Sequence, residues 1–195
     1  MVSGGIRGKA EVMNVRIISG QYGGRKIEAP STTRTHPMSE RARGALFNSI
    51  AAELPDTDVL DVFAGTGALG LEAISRGAKH ATFVERDRTA QKVLEKNIAT
   101  LGVEKTTTLV RASVASWCDT IENRYFDIIF ADPPYHDPQF STVSRLFGLL
   151  KPGGLMVLSH PGRGEEPTYP GIVVVDSRSY GNAHLTFYRR IDAAM

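Results

Sequence analysis

The chain has 195 residues, of which 42% are hydrophobic and 23% are charged, and its formal net charge is +2. This length allows one substantial hydrophobic core but not two ordinary domains. Cys118 is the only cysteine, which excludes an internal disulfide, and no apolar run is long enough to span a bilayer. The start of the chain also lacks the apolar segment of a secretory signal. We therefore expect a monomeric, cytoplasmic protein without a membrane partner.

The positive charge is concentrated in the N-terminal quarter. Residues 1–50 carry eight Lys or Arg against three Asp or Glu, whereas the remaining residues carry 15 against 18. This asymmetry indicates contact with a polyanion such as RNA, although a solvated basic surface would give the same pattern. The candidate phosphate-contacting residues are Arg16, Arg25, Lys26, Arg34, Arg41 and Arg43.

The first part of the chain predicts a small basic hairpin. Residues 1–12 are small and polar without periodicity, and we expect them to be disordered. Residues 15–19 and 25–28 are two short β-like runs separated by the glycine-rich residues 20–24, which predicts a β-hairpin with exposed basic side chains. Residues 30–37 follow as an irregular, Thr-rich linker.

A helix completes this N-terminal extension. Ser39 is a suitable N-cap for a helix over residues 40–52, in which apolar residues recur at helical spacing. We therefore divide the chain into the disordered segment, a basic hairpin and helix over residues 13–52, and a catalytic domain over residues 53–195.

From residue 58 onward, short apolar runs alternate with amphipathic segments. This alternation predicts an α/β fold with a doubly wound, mostly parallel seven-stranded sheet. The Gly181-Asn182 pair predicts the turn of a closing antiparallel hairpin at one sheet edge. The predicted strands are 59–63, 81–85, 107–111, 128–131, 155–159, 172–176 and 185–189, and the predicted helices are one that follows the glycine loop and ends at Arg76, one over 89–101, and one that begins at Asp137-Pro138 and stops at 151–154.

A glycine-rich loop follows the first of these strands. Residues 65–70 read G-T-G-A-L-G, and Glu85 lies twenty residues beyond Gly65. This spacing fits a dinucleotide fingerprint, and alone it does not choose between NAD and S-adenosylmethionine. Asp61 lies at the end of the preceding strand, where its carboxylate would repel a pyrophosphate but would suit the ammonium group of a methionine moiety. Because Glu85 can also accept both ribose hydroxyls, the sequence favours S-adenosylmethionine.

The stretch Asp132-Pro133-Pro134-Tyr135 carries the proposed chemistry. It follows the fully apolar residues 128–131, so two prolines stiffen the chain at the carboxyl end of a buried strand, where open α/β sheets bind ligands. Asp132 and the Pro133 carbonyl could each accept one N–H bond of an amino group on a base, which would turn the nitrogen lone pair toward an electrophile. Tyr135 could stack on the ring. The stretch predicts methylation of an amino group, with an ordinary Asp-Pro turn as the structural alternative.

Over residues 13–190 the sequence resembles the bacterial guanine-N2 methyltransferases that modify small-subunit ribosomal RNA. The glycine loop and the Asp-Pro-Pro-Tyr motif are shared with many amino methyltransferases, whereas the N-terminal segments are specific. The segments that carry the resemblance are 16–20 (R-I-I-S-G), 24–26 (G-R-K), 40–48 (E-R-A-R-G-A-L-F-N), 60–73 and 132–135.

The resemblance implies a Rossmann-like class I methyltransferase with S-adenosylmethionine as donor and N2 of one guanine as acceptor. It also implies a ribosomal RNA partner within an assembled or partly assembled small subunit, contacted by the basic extension. The loop after the third core strand lacks the acid that commonly meets the adenine amino group, so Ser113 or backbone atoms must take that role. The implied catalytic residues are Asp132, Pro133, Pro134 and Tyr135, and the implied cofactor-binding residues are Asp61, Phe63, Gly65, Gly67, Glu85, Arg86, Ala112, Ser113 and Asp132.

Three other functions are compatible with parts of the sequence. An adenine-N6 methyltransferase acting on DNA or RNA would use the same motif and cofactor, but it usually needs a separate target-recognition domain. An NAD-dependent oxidoreductase has only the glycine fingerprint in its favour, and Asp61 opposes it. A non-catalytic RNA-binding module would leave the Asp-Pro-Pro-Tyr stretch without a purpose. The five histidines are scattered, so no metal site is predicted.

Overall fold

The computed structural model describes residues 12–30 and 38–191. In chain order the strands are β1 (Val12–Arg16), β2 (Lys26–Pro30), β3 (Asp58–Val62), β4 (His80–Glu85), β5 (Thr107–Arg111), β6 (Phe126–Ala131), β7 (Leu150–His160), β8 (Ile172–Tyr180) and β9 (Ala183–Arg190). The helices are α1 (Glu40–Ser49), α2 (Ala68–Ser75), α3 (Arg88–Leu101), α4 (Val114–Thr120) and α5 (Phe140–Leu146). Three short 3-10 turns span Ala51–Glu53, Glu104–Thr106 and Phe147–Leu149.

Seven strands form one sheet in the order β5-β4-β3-β6-β7-β9-β8, and β1 and β2 form a separate antiparallel pair. Pairing is parallel from β5 through β7 and antiparallel at β7–β9 and β8–β9. The two-residue connection Gly181-Asn182 closes the edge hairpin. The predicted fold class is therefore confirmed. None of the helices in the described ranges is long and apolar enough to cross a membrane.

The two faces of the sheet are covered by different helices. Successive residues of a strand point to opposite faces, so Phe130 packs into one core cluster and Ile129 into the other. The first face is covered by α1, α2, α3 and the β1–β2 hairpin. The second face is covered by α4 and α5, which contribute Trp117 and Leu146 among other residues. Both faces of the central parallel strands β3, β4 and β6 are thus buried, which explains their largely apolar sequences, whereas the edge strand β5 is only partly buried.

The N-terminal extension shares the core of the main sheet. Val15, Ile17 and Ile27 of the hairpin region lie in the same cluster as Phe83 and Phe130 of the central strands. Ile17 and Ile27 are each only 1% exposed. The division predicted between residues 52 and 53 therefore does not coincide with a break in the packing.

A buried carboxylate attaches the hairpin to α2. The two side-chain oxygens of Glu72 accept hydrogen bonds from the backbone amides of Ile18, at 2.9 Å, and Ser19, at 3.1 Å. One of them also pairs with Arg76 Nε at 2.9 Å. Glu72 has no exposed surface, so these donors take the place of the water that would otherwise solvate its carboxylate.

Most element boundaries differ from the predictions by a few residues, but two differences have specific causes. The last core helix was predicted to begin at Asp137-Pro138 and instead begins at Phe140. The Asp137 amide closes the Asp132–Tyr135 turn by donating to the Pro134 carbonyl at 2.9 Å, and Gln139 then adopts a positive φ of 47° before the helix starts. The short helix α4 was not predicted, although Ser113 caps it as a serine commonly does.

The second difference concerns residues 151–154, which were predicted to stop a helix but lie within β7. The pairing of β6 and β7 shifts register between Phe126 and Ile128, and this irregularity accommodates the Pro-Gly-Gly sequence inside a strand. Val12 was predicted to be disordered and instead pairs with Pro30 in the hairpin. Residues 1–11 and the linker residues 31–37 lie outside the described ranges.

The Glu72→Gln substitution should detach the hairpin and strongly destabilise the fold. It leaves the buried Arg76 without a counter-ion and turns one acceptor for a backbone amide into a donor. Breaking a buried ion pair costs about 3–5 kcal/mol, and we expect a loss of this size in the free energy of unfolding measured with urea. Hydrogen exchange of the Ile18 and Ser19 amides should accelerate as well.

The matched control is Glu53→Gln, which breaks the more exposed pair between Glu53 and Arg189 at 2.6 Å. Exposed pairs contribute about 0–1 kcal/mol, so this variant should unfold almost like the parent protein. Equal effects of the two substitutions would show that Glu72 does not anchor the hairpin.

Candidate active site

The carboxyl ends of β4, β3 and β6 meet at one edge of the sheet. Val62 of β3 is in register with Val84 of β4 on one side and with Ala131 of β6 on the other. The residues that follow these strands are the glycine loop, the loop after Glu85 and the Asp-Pro-Pro-Tyr turn. The tertiary structure thus brings together the two motifs that the sequence singled out.

The glycine loop leaves open space at its first glycine. Gly65 has a φ of 56°, and a Cβ atom built there would have no heavy atom within 4 Å. Its amide donates to Glu85 Oε2 at 2.7 Å, which ties the loop to the end of β4. Gly67 differs, because a Cβ atom there would lie 2.2 Å from Leu94 Cδ1. Gly65 therefore leaves room for a ligand to approach, whereas Gly67 permits the loop to pack on α3.

Asp61 lies beneath this loop with 1% of its surface exposed. Its Oδ2 atom accepts a hydrogen bond from the Gly70 amide, at 2.9 Å, in the first turn of α2. Burial raises the pKa of Asp61 well above its usual value, the Gly70 bond opposes this rise, and the nearby charges of Asp132 and Glu85 add to it. Three carboxyl groups thus converge on one site, which favours a cationic ligand group over an anionic one.

The Glu85 carboxylate is held by the backbone on both oxygens. Oε2 accepts from Gly65, and Oε1 accepts from the Asp87 amide at 2.8 Å. Since each carboxylate oxygen can accept two hydrogen bonds, capacity remains for ligand hydroxyls. The neighbouring Arg86 is exposed at the same edge. Phe63, just after β3, is partly buried and has a positive φ of 56°.

The loop after β5 contributes less than the sequence suggested. Glu85 is in register with Arg111, so Ala112 and Ser113 lie beyond the end of β5 at the same edge. The Ser113 hydroxyl, however, caps α4 by accepting from the Ser116 amide at 3.1 Å and contacts Ser116 Oγ at 2.8 Å. Because this hydroxyl is already engaged, backbone atoms near Ala112 are the better candidates for contact with a ligand.

The Asp132–Tyr135 turn begins directly after β6. Asp132 is partly buried, and this burial raises its pKa to about 6, although hydrogen bonding from Ser159 acts in the opposite direction. Pro133 is buried, and Pro134 is partly buried. The Tyr135 hydroxyl lies 2.7 Å from Ser159 Oγ, so the ring is fixed to the end of β7.

Sequence reasoning did not select Ser159, which is 2% exposed and lies near the end of β7. A polar residue that interrupts an apolar strand near its carboxyl end was the available signal. This signal points to the site only once the strand order is known, because β7 lies beside β6, the strand that precedes Asp132.

The predicted RNA-contacting residues do not all reach the surface. Arg16, Arg25, Lys26 and Arg41 are exposed, whereas Arg34 lies outside the described ranges. Arg16 forms an ion pair with Glu40. Arg25 donates to the Thr100 carbonyl at 2.6 Å, which places the hairpin along the C-terminal part of α3.

Arg43 requires a correction. It is 2% exposed, and its Nη2 atom donates to the Arg16 carbonyl at 2.6 Å, so it lies beneath the hairpin and away from solvent. Burial lowers its pKa, while the negative charges of Glu72 and Glu40 oppose this effect. A phosphate contact does not fit this position. The sequence could not reveal it, because the hairpin that covers α1 is distant along the chain.

Comparison with known proteins agrees with this architecture. Residues 15–189 match the family described as Conserved hypothetical protein 95. The chain is 31% identical over 182 residues to YlbH of Bacillus subtilis, described as a candidate rRNA methyltransferase. The aligned region covers 90% of this chain and 99% of that protein. The chain is also 41% identical over 121 residues to Ribosomal RNA small subunit methyltransferase D of Escherichia coli. This aligned region covers 62% of this chain and 60% of that protein.

A solved structure gives the same result. The Escherichia coli protein yhhF, described as a candidate methyltransferase, superposes with a TM-score of 0.83 at 32% identity, covering 93% of this chain and all of that one. The fold, the site and these relatives define a methyltransferase of the Rossmann-like class. The chain belongs to the Conserved hypothetical protein 95 family, as its matches across residues 15–189 show. The oxidoreductase alternative is thereby set aside.

Alanine substitutions should distinguish the two glycines of the loop. Gly65→Ala meets no neighbouring atom and should cost only the left-handed backbone penalty, about 1–2 kcal/mol. Gly67→Ala, at a φ of 83°, adds an overpacking cost of about 1–3 kcal/mol against Leu94. Urea unfolding should therefore show Gly67→Ala to be the less stable variant. The reverse order would contradict the assigned packing role.

Proposed function

We propose that the protein transfers a methyl group from S-adenosylmethionine to the exocyclic N2 of a guanine in small-subunit ribosomal RNA, within an assembled or partly assembled subunit. The observation that carries the chemistry is the Asp132–Tyr135 turn beside the glycine loop, at the carboxyl ends of adjacent parallel strands. Relatives named Ribosomal RNA small subunit methyltransferase D support the RNA substrate. A cytoplasmic location accords with this substrate.

The residues around the glycine loop fit this cofactor. Asp61 and the carboxyl groups near it favour the sulfonium and ammonium charges over a pyrophosphate. The open space at Gly65 allows the backbone to approach the cofactor closely, and Glu85 retains acceptor capacity for the ribose hydroxyls. When bound, S-adenosylmethionine supplies an electrophilic methyl group and its own leaving group.

The catalytic turn would orient the acceptor amine. An exocyclic base nitrogen is a weak nucleophile because its lone pair is delocalised into the ring. If Asp132 and the Pro133 carbonyl each accept one of its N–H bonds, the lone pair points toward the donor methyl. With a pKa of about 6, Asp132 is mainly ionised at neutral pH and can also accept the proton that the amine releases.

Tyr135 would hold the base in place. A guanine inside a helical stack cannot reach the floor of this site, so it must be flipped out, and an aromatic face then compensates for part of the lost stacking. The hydroxyl of Tyr135 is already engaged with Ser159, which leaves the ring face as the surface that the base can use.

The basic extension would contact the RNA backbone through its exposed cations. Arg16, Arg25, Lys26 and Arg41 remain in this role, whereas Arg43 serves the packing of the hairpin. The hairpin is fixed to α2 by Glu72. Phosphate contacts made by the hairpin would therefore hold the RNA at a fixed position relative to the catalytic domain.

The decisive experiment incubates the protein with labelled S-adenosylmethionine and either small subunits or naked ribosomal RNA from cells that lack the enzyme. Digestion and mass spectrometry then identify the modified nucleoside. N2-methylguanosine at one position would support the proposal, and a preference for subunits would support the assembled substrate. N6-methyladenosine would favour the adenine alternative, and an absence of transfer to either RNA substrate would contradict both.

Substitutions at Asp132 test the chemical role. Asp132→Ala should reduce single-turnover methylation by about a hundredfold to a thousandfold, the loss of one positioned transition-state hydrogen bond, while cofactor affinity persists. Asp132→Asn keeps an acceptor and should retain more activity, unless the carboxylate must also take the proton. In the parent protein, activity should fall as the pH drops through about 6, because protonation removes the acceptor. Near-normal transfer by Asp132→Ala would show that the turn is only structural.

The salt dependence of RNA binding tests the basic extension. If Arg25 and Lys26 each contact one phosphate, replacing both with Ala should reduce the slope of log affinity against log salt by about 1.4–1.8. The matched control replaces Lys79 and Lys105, which are exposed and lie near the amino ends of β4 and β5 at the opposite edge. Equal slopes for the two double variants would place the RNA-binding surface elsewhere.

A further inference from the structure

Ser159 links the two side chains on which the proposed chemistry depends. Ala131 is in register with Leu158, so the next residues, Asp132 and Ser159, lie beside each other at the carboxyl edge of the sheet. The Tyr135 hydroxyl reaches the same serine at 2.7 Å. Ser159 is 2% exposed, so its hydroxyl is shielded from water and depends on protein partners for its hydrogen bonds.

The direction of these hydrogen bonds follows from the chemistry of the groups. An ionised Asp132 can only accept, and the Ser159 hydroxyl has a single proton to donate. If that proton is given to Asp132, the Ser159 oxygen must accept from Tyr135. In that arrangement a chain of hydrogen bonds would run from Tyr135 through Ser159 to an ionised Asp132, and each bond in such a chain would strengthen the next.

We propose that Ser159 is a positioning residue that holds the ring of Tyr135 and the carboxylate of Asp132 in one fixed relative geometry. This inference rests on the proposed function, because it assigns the base ring to Tyr135 and the base amino group to Asp132. When a planar base stacks on a ring held in this way, its amino group already lies in the correct orientation to donate to the Asp132 carboxylate. The serine itself makes no contact with the substrate.

Ser159 also influences the ionisation of Asp132. Burial raises the pKa of Asp132, and the hydrogen bond from Ser159 partly offsets that rise. The titratable groups that face Asp132 are Asp61 from β3 and Tyr135 from the same turn. Since neither provides a positive charge, loss of the Ser159 hydroxyl should leave Asp132 harder to ionise.

The test compares Ser159→Ala, Ser159→Thr, Tyr135→Phe and the double variant Ser159→Ala/Tyr135→Phe in single-turnover methylation of small subunits at saturating cofactor. Ser159→Ala should lower the rate by about 10- to 100-fold, as expected for a lost hydrogen bond to a charged group, and should move the acidic limb of the pH profile to higher pH. Ser159→Thr, which keeps the hydroxyl, should restore that limb. Tyr135→Phe should lower the rate less and leave the limb near its original pH.

The double variant should be no slower than Ser159→Ala, because both substitutions break the same chain. Thr82→Val, on β4, is the control, since it removes another fully buried hydroxyl, which accepts from Arg124, and should not move the pH limb. A parental rate and pH limb in Ser159→Ala, with Asp132→Ala inactive, would overturn the positioning role and leave the proposed function intact. An active Asp132→Ala would overturn the proposed function itself. Should Ser159→Ala fail to fold, an unchanged rate in Tyr135→Phe would still contradict the chain.

Discussion

The parallel pairing of β3 with β6 is the constraint on which the site depends. It aligns Val62 with Ala131, so the glycine loop and the Asp132 turn leave the sheet side by side although Val62 and Ala131 are 69 residues apart along the chain. Parallel strands require a crossover between them, and here β4 and β5 with their helices provide it. The same order places Glu85 on the other side of the glycine loop. One register therefore determines the positions of the proposed methyl donor and acceptor.

The electrostatics of the site follow from where this edge is buried. Asp61 and Asp132 lie near each other at this edge, and burial raises the pKa of both carboxyl groups. Their mutual repulsion and the nearby Glu85 disfavour ionisation of Asp61. A bound cation would relieve this repulsion. The acidic character that weakens the case for a dinucleotide is thus also a physical reason for a sulfonium ligand to bind.

The basic extension belongs to the same rigid packing and is not an independent arm. Ile17 and Ile27 enter the core beneath the sheet, while Glu72 holds the backbone of Ile18 and Ser19. Glu72 lies on the helix that begins at the cofactor loop, so the proposed RNA-contacting surface and the proposed cofactor site are attached to one element. This arrangement would fix the distance between the RNA backbone and the reacting base.

The sequence by itself determined the fold class, the parallel core strands and the two motifs, because buried parallel strands and glycine turns leave strong local patterns. It also marked Asp61, Glu85 and Asp132, since each lies at a strand end. Only the tertiary structure revealed that Arg43 is buried under the hairpin, and that Ser159 lies beside Asp132 and contacts the Tyr135 hydroxyl. These two facts depend on contacts between segments that are distant along the chain, and local sequence patterns carry no information about which segments meet.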